Sequence, residues 1–105
     1  MNKKLQELES AIKYSFKDKT LLHQALTHKS FSNISNNEKL EFLGDRVLGL
    51  IISKKLLDKY PNEKEGTIDK KFANLVNKNT CFQVGKKLKL IDFQLKGNSK
   101  KKILN

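Results

Sequence analysis

An all-α domain is the fold class this 105-residue sequence predicts. Apolar residues recur at helical spacing in each of its segments. Polar, turn-forming breaks separate those segments. The longest amphipathic stretch, from about Glu38 to Tyr60, runs up to Pro61, the single proline. A chain of this length is one domain at most, with a modest core. It contains no internal repeat and no domain linker.

Taken in order, Asn2 to Tyr14 places Leu5, Leu8 and Ile12 on one face of a first helix. Asp18 is positioned to cap a second helix, which carries Leu21, Leu22, Ala25 and Leu26 on one side. His23 and His28 have no cysteine or acid at ligand spacing, and helix-end electrostatics account for both. Ser32 to Asn37 reads as a loop. The Glu38–Tyr60 helix, about 35 Å long, is expected to be the central helix, buried on most sides. Pro61 to Gly66 is a polar turn, and Thr67 is the expected cap of a fourth helix with Ile68, Phe72, Leu75 and Val76 inward. Its other face exposes Lys70, Lys71, Asn74 and Lys78. A break at Asn77 to Thr80 precedes a fifth helix with Cys81, Val84 and Leu88 on one face, and Cys81 is expected in the core. Leu88 to Leu95 is open between a helix end and an extended piece. Lys96 to Ser99 reads as a turn, and Lys100 to Asn105 as the start of another helix.

The central helix carries the chemistry. At about 100° per residue, Leu40, Leu43, Val47, Leu50 and Ile51 form one apolar face, and Glu38, Glu41 and Asp45 lie opposite within roughly 60°. Glu41 and Asp45 are one turn apart, so their carboxylates can reach a common point. Like charges at that spacing cost a few tenths of a kcal/mol. Gly44 and Gly49 each cost about 1 kcal/mol relative to alanine, which suggests that something approaches closely. The pattern has two readings: a solvated acidic face with glycines for helix packing, or a cation site. Glu38 also fits a capping box with Ser35. Phe42 projects about 40° from Glu38, away from the leucines, as a second core contact or a subunit contact.

The formal net charge of +11 points to an anionic partner, with nucleic acid first, an anionic membrane surface second and a solubility device as the plain alternative. Arg46 is the only arginine among 22 basic residues. Lysine acts as a point charge on phosphate, whereas arginine reads guanine bidentately, so the balance favours backbone recognition. A single cysteine excludes an internal disulfide and a thiol-rich metal site, which fits a reducing, cytoplasmic setting. No signal-peptide core is present, and the longest apolar run, around Val47 to Ile52, is too short to span a bilayer.

The run Glu38-Lys39-Leu40-Glu41-Phe42-Leu43-Gly44-Asp45 resembles the signature of the ribonuclease III family of double-stranded-RNA endonucleases. Arg46 stands where serine or alanine is more usual. Ala25-Leu26-Thr27-His28-Lys29-Ser30, Glu65-Gly66 and Asn79-Thr80 resemble further family stretches. The resemblance implies the family's helical endonuclease fold over residues 1–105. It implies Glu41 and Asp45 as catalytic and metal-binding carboxylates, with Glu38 and Glu65 as additional metal positions. It implies Mg2+, with Mn2+ as the alternative ion, and phosphodiester hydrolysis in double-stranded RNA such as ribosomal RNA precursors. The lysine face of Lys70, Lys71, Asn74 and Lys78 is the candidate RNA surface. Phe42, with Leu48 and Ile52, is the implied homodimer contact. The family's second carboxylate pair would follow the stretch that Lys101 to Asn105 resembles. The expectation is therefore a catalytic domain truncated before its last helices, without a double-stranded-RNA-binding domain and weak in metal binding. The rival readings are a catalytically inactive RNA-binding or dimerisation module on the same fold, and a basic DNA-binding protein lacking a recognisable recognition helix.

Overall fold

The computed structural model describes residues 3–97. These form five helices, α1 (Lys3–Ile12), α2 (Lys19–Ala25), α3 (Glu38–Lys59), α4 (Glu65–Val76) and α5 (Lys78–Lys87), followed by a 3-10 turn at Leu90–Phe93. Among the described residues the sole extended pairing is an isolated parallel bridge between Thr27 and Leu95. The expected helical start at Lys100 to Asn105 lies outside the described residues, as does part of the turn before it.

The core is built on α1 and α2. Leu5 and Leu8 of α1 and Leu22 of α2 are buried, with Ile12, Phe16, Leu26, Leu90 and Phe93 packed around them. The α1–α2 connection is latched by Glu9. Its carboxylate accepts from the Phe16 N–H at 2.6 Å and pairs with Lys19 Nζ at 2.7 Å. Lys19, then the Phe16 N–H, holds the Glu9 carboxyl below its ordinary value. Asp18 caps α2 as expected, accepting from the Thr20 and Leu21 N–H groups.

Helix α3 is about 33 Å long, and α4 folds back along it. The radius of gyration is 16.2 Å, against about 13 Å for a compact domain of 100 residues. That openness corrects the expectation of a central helix buried on most sides. Leu56 is the one buried residue of α3. Leu43 is 57% exposed and Leu50 71%, and Val47 and Ile51 are also exposed. The leucine face is therefore not the side that packs. α4 seats instead on the side of Gly49 and Leu56, which on the helical wheel continues the acidic stripe beyond Asp45. A Cβ on Gly49 would lie 3.6 Å from Phe72 Cζ, and on Gly44 it would meet nothing within 4 Å. Close approach thus explains neither glycine within this chain.

Other boundaries also moved. α4 starts at Glu65 rather than after Thr67, because the chain turns at Lys64 and Glu65 then lies in the first turn, where an acid suits the helix dipole. Its Leu75 is exposed rather than inward. Asn77 alone makes the next break: its Nδ2 donates to the Ala73 carbonyl at 2.9 Å and its Oδ1 accepts from the Thr80 N–H at 2.8 Å. This caps α4 and starts α5 with one residue. Cys81 and Val84 of α5 are exposed, not in the core, since α5 contacts only α4 and the 3-10 turn closely among the described elements. Leu88 to Leu95 resolves as a left-handed Lys89, the 3-10 turn and then extended chain.

Candidate functional site

The two residues that lead into α3, Asn36 and Asn37, are tied to the Gln24–Thr27 stretch. Thr27 is almost fully buried, and its Oγ1 donates to the His23 carbonyl at 2.7 Å. Its own carbonyl accepts from the Asn37 N–H at 2.9 Å. Gln24 Nε2 donates to the Asn36 carbonyl at 3.1 Å, and Asn37 Nδ2 to the Ala25 carbonyl at 3.3 Å. Asn36 Oδ1 accepts from the Glu38 N–H at 3.1 Å, so the helix start is closed by Asn36 and no Ser35–Glu38 capping box forms.

The other edge of the same stretch is clamped by the end of the described chain. The His28 N–H donates to the Leu95 carbonyl and the Leu95 N–H to the Leu26 carbonyl, each at 2.8 Å. The Gly97 N–H reaches Ser30 Oγ at 2.9 Å. The Ser30 N–H donates to His28 Nδ1 at 3.0 Å, so this histidine closes a turn beyond α2 rather than capping the helix end, which lies at Ala25. His23 is exposed in the last turn of α2. Gln24, Thr27, Asn36 and Asn37 thus set where the acidic helix begins. The sequence signalled Asn36 and Asn37 only as part of the Ser32–Asn37 loop, and Thr27 only as part of the threonine-histidine stretch.

On α3 itself, Glu41 and Asp45 are both exposed, away from the core. Neither carboxylate has an ion-pair or hydrogen-bond partner among the described residues. Glu38 lines a cleft with Gln24, Asn33, Ile34, Asn36 and Lys39. Glu65 lines a different one, with Ser53, Leu56, Ile68, Asp69 and Phe72. Ser53 lies fifteen residues beyond Glu38 on the same helix, about 22 Å along the axis. Within one chain, then, Glu38, Glu41, Asp45 and Glu65 are not gathered into one ligand set. Among the described residues no three His, Cys, Asp or Glu side chains cluster closely enough to hold a metal ion. Two exposed carboxylates one turn apart are hard oxygen donors that fit Mg2+, which binds through one or two carboxylates and keeps several waters.

The lysine surface is less uniform than helical spacing suggested. Lys70 and Asn74 are exposed on α4, but Lys71 Nζ lies 4.3 Å from the centre of the Tyr60 ring. Lys78 opens α5 after the extended Asn77, so the α4 face does not continue through it. Phe42 is 62% exposed, which removes the core alternative for that ring among the described residues. Leu48 is exposed and Ile52 half-buried. Among the described residues no helix is long and apolar enough to cross a membrane.

In fold the chain is of the class of ribonuclease III nuclease domains. The ribonuclease-III-like family model matches residues 18–103, and the chain belongs to that family. Ribonuclease 3 of Pelagibacter ubique strain HTCC1062 is 57% identical over 96 residues, covering 91% of this chain and 43% of that protein. Ribonuclease 3 of Campylobacter jejuni is 46% identical over 93 residues, covering 89% of this chain and 42% of that protein. The chain thus spans less than half the length of these relatives. A solved nuclease domain of Campylobacter jejuni ribonuclease III, described for structural flexibility in a region involved in dimer formation, superposes with a TM-score of 0.89 at 43% identity. That match covers 93% of this chain and 68% of the other. The all-α fold expected from the sequence is the fold of that domain.

Proposed function

We propose that this chain serves in cleaving double-stranded RNA, as part of an endoribonuclease acting in RNA processing, ribosomal RNA precursors included. The observation that carries the reading is the pair Glu41 and Asp45, exposed, unpaired and one turn apart on a helix whose start is fixed by three segments of the chain. Glu41 and Asp45 would hold Mg2+ or Mn2+, and Glu38 and Glu65, at separate clefts, are further metal positions that a second copy could complete. When bound, such an ion supplies a nucleophilic water and charge neutralisation at phosphorus. The chain's own contribution is to hold both carboxylates exposed, one turn apart on the same helix. Lys70, Asn74 and Lys78 are the candidate contacts to the phosphate backbone, and Lys71 joins them if it leaves Tyr60.

The same reading takes the molecule to a homodimer through Phe42, Leu48 and Ile52, in the cytoplasm. Two strands of a duplex call for two sites related by a two-fold axis, and Phe42, 62% exposed, is free to lie across it. Mn2+ titration followed by paramagnetic broadening of amide signals tests the metal site. Broadening centred on Glu41 and Asp45 and lost in Glu41→Gln and Asp45→Asn is expected. Equal broadening in both variants would dismiss the pair as ligands. Duplex RNA affinity should fall with salt at a log–log slope of roughly −0.7 to −0.9 per phosphate neutralised.

The absence of a three-acid cluster among the described residues favours one second reading, an RNA-binding or dimerisation module without cleavage. Duplex RNA that is bound but left uncut by the protein with Mg2+ would select it.

A further inference from the structure

Arg46 is the one arginine in the chain and sits one turn after Phe42 on α3. Its guanidinium lies 3.8 Å from the centre of the Phe42 ring, and its Nη1 donates to the Phe42 carbonyl at 3.0 Å. A guanidinium carries five N–H donors, and no carboxylate pairs with this one among the described residues, although Glu38, Glu41 and Asp45 share its helix. An aromatic ring and a cation therefore stand together on exposed surface with most of their binding capacity unspent.

The positions around them are complementary to themselves. On the helical wheel Arg46 and Glu38 flank Phe42 at about 40° on either side, one turn beyond it and one turn before it. In a two-fold contact, residue i meets j and j meets i. Two parallel α3 helices meeting at Phe42 would set Arg46 against Arg46 and Glu38 against Glu38. An antiparallel crossing sets Arg46 against Glu38, twice. Like-charge juxtaposition penalises the first arrangement and opposite charge favours the second. Arginine also tolerates an aromatic, partly desolvated contact better than lysine does, because it is planar and more weakly hydrated.

We propose that Arg46 is a subunit-contact and orientation-determining residue. Across a two-fold axis at Phe42, Arg46 of one copy pairs with Glu38 of a second copy while stacked on its own Phe42, and the pairing is reciprocal. The inference rests on the homodimer reading above and adds to it the direction in which the two α3 helices cross. It also places one acid of the metal stripe under the control of the other subunit.

Sedimentation equilibrium over a wide concentration range tests it, with the wild-type chain, Phe42→Ala, Arg46→Glu, Glu38→Arg and the double variant Arg46→Glu/Glu38→Arg. Circular dichroism checks that each variant keeps its helices, as expected for exposed positions. Each single reversal breaks two contacts and should weaken association about a hundredfold, at roughly tenfold per contact. The double reversal should restore it to within a few-fold of wild type. If Arg46→Glu dimerises as tightly as wild type, or the double variant no better than the singles, the pair is wrong while a Phe42-centred dimer stands. If the wild type stays monomeric throughout and Phe42→Ala changes nothing, the dimer reading falls and the pair with it.

Discussion

Gly44→Ala separates what a helix wants from what a site needs. Glycine in a helix interior is worse than alanine by about 1 kcal/mol. At Gly44 the added Cβ would meet nothing within 4 Å, so no steric cost offsets that gain in the single chain. The substitution should therefore stabilise the monomer by about 1 kcal/mol, a rise in Tm of roughly 4–8 °C for a domain of this size. Gly49→Ala is the matched control, since its Cβ would make an ordinary 3.6 Å contact with Phe72 and should gain a similar amount. Thermal unfolding by circular dichroism at low protein concentration reads both. Mn2+ or duplex-RNA binding measured on the same samples then asks whether the open space beside Gly44 is used. A Gly44→Ala variant less stable than wild type as a monomer would refute the reasoning, because it would mean that the chain itself fills that space.

Leu8→Ala removes a side chain that is 2% exposed at the centre of the small core. Urea unfolding should show a loss of about 2–5 kcal/mol; a loss under 1 kcal/mol would mean that α1 is not part of the cooperative unit. Gly97→Ala would drive its Cβ to 2.0 Å from the Ser30 carbonyl oxygen. Up to three hydrogen bonds of the clamp should be lost at about 1 kcal/mol each, seen as faster hydrogen exchange at His28 and Leu95, and unchanged exchange there would rule the clamp out. The Glu9 carboxyl is held low by Lys19 and the Phe16 N–H, and that of Asp18 by the Thr20 hydroxyl, then the Leu21 N–H. Groups whose folded values are depressed add stability above their unfolded values, near pH 4, and lose it as pH falls through the folded ones. Acid unfolding should therefore begin below about pH 4, and Glu9→Gln should flatten the slope; an unchanged slope would remove Glu9 from the account.

The sequence alone determined the five helices among the described residues, the Asp18 cap and the exposed positions of Glu41 and Asp45 one turn apart. These depend on neighbours within a turn or two, where spacing and capping chemistry act directly. It could not decide which side of α3 packs. Leu43, Val47 and Leu50 are the more apolar face, yet α4 chose the side of Gly49 and Leu56, because a short turn at Pro61 to Lys64 folds α4 back onto that side. Nor could helical spacing foresee that Asn77 would break the lysine face before Lys78, or that Lys71 would lie over Tyr60. The separation of Glu38 and Glu65 into different clefts is likewise a property of the hairpin between α3 and α4. Local chemistry writes each helix, but contacts between residues far apart in the chain are chosen by the whole set of faces competing for burial, and only the tertiary structure records that outcome.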